Sequence, residues 1–232
     1  MCLPPRPAHA ADLAAFPPFL TPPASPPKAP LADDPESPPA MSLHPELSPY
    51  LSGNAQWATS TNAADPTFLP QLATGQAPTV LWIGCADSRV PESVIMQRKP
   101  GDVFVHFQSE DDSANAVLNY GVLHLGATHV AIVGHTACGG CNAAFAAPKE
   151  GAAHNSLGRF LAPLVKLRHS LPAGATADDL VRANVREGVK NAVASETIQQ
   201  AWAQGKQVFV HGWLYDLKTG LIQDLQYSQG PQ

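Results

Sequence analysis

The chain has 232 residues, only 14% of them charged, and a formal net charge of −5. It shows no basic run and no basic-aromatic alternation, so a nucleic-acid surface is not expected, and no stretch reaches the ~20 apolar residues that span a bilayer. The length suffices for one well-buried domain, and a soluble, non-membrane body is expected.

Residues 1–42 read as a separate extension. The run from Phe16-Pro17-Pro18 to Pro38-Pro39 is dominated by Pro and Ala. Proline removes backbone donors and favours extended conformations, so disorder is expected there. No uninterrupted apolar core follows a basic start, as a secretory signal requires. Arg6 is its only arginine, and Asp12, Asp33, Asp34 and Glu36 argue against a mitochondrial presequence. Met41 is an alternative start.

From Leu43 the texture changes, and residues 43–232 read as one domain. Leu47, Leu51, Ala55 and Ala58 recur at helical spacing over 46–60, and Asp65-Pro66 opens a second helix ending near Gly75. Val80-Leu81-Trp82-Ile83-Gly84 is a continuous apolar run, which predicts a strand covered on both faces. Val103–His106 is a second strand. Ala114, Val117, Leu118, Val122 and Leu125 predict an apolar helix over 113–125, and His129–Gly134 is the third strand. Helical stretches over 156–170 and 176–203 follow. Residues 207–213 form a fourth strand, and Asp216–Gly220 turns into an edge strand at Leu221–Leu225. This alternation predicts an α/β fold with right-handed crossovers. The central sheet is mostly parallel and flanked by helices, with an antiparallel C-terminal edge strand and an N-terminal helical arm. No internal repeat is visible.

Two segments carry chemistry: Cys85-Ala86-Asp87-Ser88-Arg89 and His135-Thr136-Ala137-Cys138-Gly139-Gly140. Each directly follows a predicted strand, at the end where α/β proteins place their sites. Two thiolates and one imidazole are borderline-soft donors that suit zinc, and three ligands leave a fourth position for water. His135 and Cys138 stand one turn apart. Cys85 is too distant for a local zinc knuckle, so neighbouring strands must deliver both ends. Asp87 and Arg89 can point the same way. Asp87 then either coordinates the metal and closes the site, or pairs with the Arg89 fork and accepts a hydrogen bond from water. A surface salt bridge is the bland alternative.

Of the four cysteines (Cys2, Cys85, Cys138, Cys141), all could be buried thiols or disulfide partners, and Cys138-Gly139-Gly140-Cys141 has redox-pair spacing. A thioredoxin-type pair, however, opens a helix after an early strand and needs no distant Cys-x-Asp. Metal binding implies a reducing compartment, and a cytoplasmic location is expected over a mitochondrial one.

These residues resemble the β-class carbonic anhydrases, the fungal members above all. The likeness runs from about Asn54 to Leu225. Its anchors include Asn54-Ala55-Gln56-Trp57, Gly75-Gln76-Ala77-Pro78, Pro100-Gly101-Asp102, Val122-Leu123-His124-Leu125 and His211-Gly212-Trp213-Leu214-Tyr215-Asp216, besides the two segments above. The resemblance implies reversible hydration of CO2 to bicarbonate by zinc-bound hydroxide. It implies one Zn2+ per chain on Cys85, His135 and Cys138, with Asp87 a fourth ligand only in a closed state. Asp87 and Arg89 would form the gating dyad. Gln76 would donate to substrate, Gly139 would offer a backbone N–H, and Phe104 and Tyr120 would line an apolar channel often found at a subunit interface. Cys141 matches a position that is not a ligand. A homodimer or dimer of dimers is expected, from the family and from an N-terminal helical pair with little of its own to pack on.

One departure stands out. After Val103-Phe104-Val105-His106 the family continues with a stretch close to Arg-Asn-Ile-Ala-Asn-Gln, and here His106 runs directly into Phe107-Gln108-Ser109-Glu110-Asp111-Asp112. That loss is expected to shorten the strand exit and reshape the channel while sparing the zinc ligands. The alternatives to an active carbonic anhydrase are a zinc-binding weak or inactive paralogue, which this loss motivates, a hydrolase of carbonyl sulfide or carbon disulfide, and a dithiol redox protein.

Overall fold

The computed structural model describes residues 44–107, 112–148 and 155–231. The disorder expected of residues 1–42 lies outside the described residues. The chain divides into two units, Met1–Ser60 and Thr61–Gln232. In the first, a 3-10 turn at Pro45–Leu47 leads into helix α1 (Ser48–Ala64). Pro45 suits a helix start, where its missing N–H would have no partner anyway. α1 buries none of its side chains, and Leu47, Tyr50, Leu51 and Trp57 are exposed.

The second unit is built on a sheet of five strands: β1 (Val80–Gly84), β2 (Val103–Phe107), β3 (His129–His135), β4 (Phe209–Asp216) and β5 (Leu221–Asp224). Their order is β2-β1-β3-β4-β5. β1 pairs in parallel with β2 and β3, β3 in parallel with β4, and β5 runs antiparallel to β4. The expected α/β fold with an antiparallel C-terminal edge is the one observed. Around the sheet lie α2 (Phe68–Leu72), α3 (Glu92–Ile95), α4 (Asp112–Asn119), α5 (Gly139–Ala146), α6 (Ser156–Arg168), α7 (Ala177–Ala194) and α8 (Glu196–Ala203).

The apolar runs form strands because both sheet faces are covered. Leu81, Ile83, Val130 and Ile132 pack with Leu118, Val122, Val185, Val189 and Ile198 on one face. Trp82, Ala131 and Val133 pack with Val90 and Tyr215 on the other. A third cluster joins Cys141, Ala144, Val165, Leu180, Val181 and Leu214 beside α5, α6 and α7. α7 approaches β3 closely only because residue 134 is glycine. A Cβ there would stand 2.7 Å from Val181 Cγ1 and 2.8 Å from Val185 Cγ2.

Four elements differ from the periodicity reading. The helix expected over 113–125 is α-helical only through Asn119, and Tyr120–His124 forms a π-helical turn in which Leu125 N–H donates to Tyr120 O at 2.9 Å. The stretch expected over 176–203 is two helices. Ser195 ends α7 at φ −64° and ψ 147°, and its Oγ accepts the Ile198 N–H at 3.3 Å to start α8. The four-residue α3 and the helix α5 were not foreseen, α5 because Gly139 and Gly140 at its start are poor helix formers.

Candidate metal centre

Parallel pairing of β1 and β3 assembles the site. Ile83 stands level with Ile132, so Cys85, the residue after β1, emerges beside His135, the last residue of β3. The turn that follows makes Cys138 the N-cap of α5. One ligand atom each from Cys85, His135 and Cys138 lies within 4.8 Å of the other two. Cys141, buried one turn into α5, is not in this group.

His135 is 1% exposed. Its Nδ1 donates to the Thr136 carbonyl oxygen at 3.0 Å, which leaves the lone pair on Nε2. That Nε2 is buried and has no hydrogen-bond partner. Burying an unsatisfied polar atom is costly, and a divalent cation shared with two sulfurs would remove the cost. The donor set therefore fits zinc. Hydrogen bonds from Cys141 and Cys85 hold the Cys138 thiol far below its ordinary value. The same contact with Cys138, together with burial, pushes Cys85 and Cys141 up.

Asp87 stands at the rim of the three donors, its Oδ2 3.8 Å from His135 Nε2. Arg89 grips it with a fork, Nε to Oδ1 at 2.8 Å and Nη2 to Oδ2 at 2.7 Å, and adds its backbone N–H to Oδ1 at 3.0 Å. This grip holds the Asp87 carboxyl well below the usual carboxylate range. A cavity of about 520 Å³ opens onto the donors. Phe107, Leu157, Phe160 and Leu164 make its apolar wall, and Arg159 and Asn184 bring polar groups.

Residues 80–222 match the family model described as carbonic anhydrase. A carbonic anhydrase of Emericella nidulans is 37% identical over 187 residues, covering 75% of this chain and 81% of its own. This chain belongs to the β-class carbonic anhydrases. A carbonic anhydrase of Saccharomyces cerevisiae is 31% identical, with 79% of this chain and 90% of the relative covered. Among solved structures, a tetrameric β-carbonic anhydrase from Sordaria macrospora superposes with a TM-score of 0.72 at 34% identity, covering 80% of this chain and 100% of that one. A β-carbonic anhydrase of Aspergillus fumigatus gives 0.70 at 36% identity, covering 79% and 92%.

Other residues expected of a β-class carbonic anhydrase fall outside the lining of this single chain's cavity. Gln76 is exposed on the loop before β1 and does not line the cavity. Phe104 and Tyr120 meet each other, ring centroids 5.9 Å apart, and Tyr120 is 38% exposed. Neither lines the cavity of the single chain. Gly140 lines it and Gly139 does not. At the departure from the carbonic anhydrase pattern, β2 continues through Phe107, level with Gly84. Phe107 is 60% exposed and lines the cavity, so an apolar ring stands where the strand leaves the sheet. Residues 108–111, which follow, lie outside the described residues. The α6 wall was missed from sequence, although Leu157, Phe160, Leu161 and Leu164 recur at helical spacing. That spacing reads equally well as ordinary core.

Proposed function

We propose that Cys85 Sγ, His135 Nε2 and Cys138 Sγ ligate one zinc ion per chain and that this site hydrates CO2 reversibly to bicarbonate. The partnerless Nε2 of buried His135, within 4.8 Å of two cysteine sulfurs, carries the reading. Zinc in such a three-ligand site keeps one open position and supplies the Lewis acidity that makes water a nucleophile at neutral pH.

The chain's own residues do the rest. Asp87, kept ionised by Arg89, accepts a hydrogen bond from the attacking water and orients its lone pair towards CO2. The Arg89 fork supports the open arrangement, and release of that fork would free Asp87 to close the site as a ligand. Phe107, Leu157 and Phe160 offer CO2 an apolar wall and limit competing water. The Gly139 N–H, next to Cys138 at the start of α5, is a proposed donor to charge growing on oxygen, and Gln76, away from this chain's own cavity, is proposed to donate to substrate from a second copy. Phe104 and Tyr120, away from this chain's own cavity, are proposed to line the channel at an interface with a second copy, as a homodimer or dimer of dimers. The tetrameric Sordaria relative supports that assembly. Residues 43–232 serve as the zinc domain and 1–42 as its extension. The free thiols of Cys85, Cys138 and Cys141 suit a reducing compartment such as the cytoplasm.

Stopped-flow assays of the zinc-replete full chain with CO2, and with CS2 alongside, test the proposal. Rapid CO2 hydration with no CS2 turnover is expected. Intact zinc with neither activity would mark a weak or inactive paralogue, and CS2 turnover alone would reassign the substrate. Dithiol chemistry with no zinc would overturn the reading.

A further inference from the structure

The segment between His135 and Cys138 has an unusual backbone. Ala137 adopts φ +53°, the left-handed region that a side chain with a Cβ disfavours. The residue is exposed, so packing does not force it there. Its two backbone polar groups are held from opposite directions in the sequence. The N–H donates to Asp178 Oδ1 at 3.1 Å, and the carbonyl accepts from Arg89 Nη2 at 3.3 Å. Asp178 is 41 residues away, in the first turn of α7. A capping box fixes that turn. Thr176 Oγ1 accepts the Asp179 N–H at 3.2 Å, while Asp179 Oδ2 accepts the Thr176 N–H at 2.8 Å. A carboxylate in the first turn is also favoured by the helix dipole.

Thr136, next to Ala137, is tied down as well. Its N–H donates to Tyr215 O at 3.0 Å, and its Oγ1 accepts the Leu217 N–H at 3.0 Å. Its carbonyl is the group that orients His135. Ala137 is therefore the link between His135 and Cys138 whose N–H is held by α7 rather than by β4 or the turn that follows it. If Ala137 relaxed to an ordinary extended conformation, the chain would leave Thr136 in another direction. Cys138 would then turn away from His135 and Cys85.

We propose that Asp178 is a positioning residue for the metal centre: by accepting the Ala137 N–H it holds the loop in the left-handed turn that aims His135 and Cys138 at one ion. This rests on the zinc reading above. Asp178 acts through the backbone and touches no ligand atom in this account. Arg89 serves the same residue from the carbonyl side, so one side chain links the Asp87 dyad to the loop.

The test uses the full chain, loaded with zinc, and reads metal release to a chromophoric chelator. Asp178→Ala should release zinc roughly tenfold faster than the parent, because it frees one strained residue and one hydrogen bond. Asp178→Asn keeps an acceptor oxygen and should release at close to the parental rate. Glycine adopts the left-handed region freely, so Ala137→Gly should be near neutral alone and should restore most of the loss in the Asp178→Ala background. Parental release from Asp178→Ala, or fast release that Ala137→Gly does not correct, would overturn the proposal. Should Asp178→Ala fail to fold, hydrogen exchange of the Ala137 amide in the parent decides. Protection supports the hydrogen bond to Asp178, and exchange at the rate of an open loop overturns it. A parent chain that binds no zinc would sink the zinc reading instead, and the amide measurement would still report on the loop.

Discussion

Arg89 illustrates how a mostly solvent-facing side chain can govern a buried centre. It donates to none of Cys85, His135 and Cys138 in the hydrogen-bond network, yet it holds Asp87 ionised and touches the Ala137 carbonyl. Arg89→Ala is expected to leave zinc content near one per chain and to lower CO2 hydration roughly ten- to a hundredfold, because Asp87 stays but loses the fork that holds it ionised and aimed. Stopped-flow rates beside metal analysis check this. A different residue sets a pH response remote from the site. His211 Nδ1 shares a hydrogen bond with Ser228 Oγ at 3.0 Å, and its Nε2 faces His129 Nδ1 at 3.0 Å. Burial, and then the charge of His129, lower its pKa from 6.5, with Asp224 opposing. Below that value the unfolded chain takes up a proton that the folded chain resists. The stability contributed by neutral His211 is therefore full above pH 6.5 and is lost as pH falls through the lower folded value. His211→Asn should flatten the fall in melting temperature as pH is lowered below 6.5.

At the scale of elements, the close seat of α7 on β3 depends on Gly134. Gly134→Ala puts a methyl where the Val181 and Val185 side chains already stand, and overpacking of this kind costs about 1–3 kcal/mol. Urea unfolding should show it as a lower midpoint with an unchanged slope. The strands that deliver the ligands were legible because β1 and β3 are covered on both faces and so read as unbroken apolar runs. The cysteines and histidine were legible because few residue types bind zinc, Cys85 and His135 stand at strand exits, and Cys138 follows one turn later. Ser195 hid because both neighbouring segments are amphipathic in the same sense, and only a side-chain cap separates them. The cavity wall hid because a helix whose apolar stripe faces an open cavity has the same pattern as one facing a core. Asp178 hid for another reason: its role is to hold a backbone conformation, and no spacing in the sequence reports that.

For the whole molecule, much apolar surface is left uncovered around the site. Phe107, Leu157 and Phe160 are more than half exposed. Surface of this kind beside a metal centre suits burial against a second copy. Light scattering of the full chain should report a dimer or tetramer, and a monomer alone at high concentration would count against that assembly. Among the described residues no helix is long and apolar enough to cross a membrane.

Three donors from separated parts of the chain are proposed to share one cation. Elemental analysis of the purified full chain against Cys85→Ser tests that most directly. One zinc per parent chain, with most of it lost in the folded variant, is the expected result. Equal zinc in both, or none in a folded parent chain supplied with zinc, would contradict it.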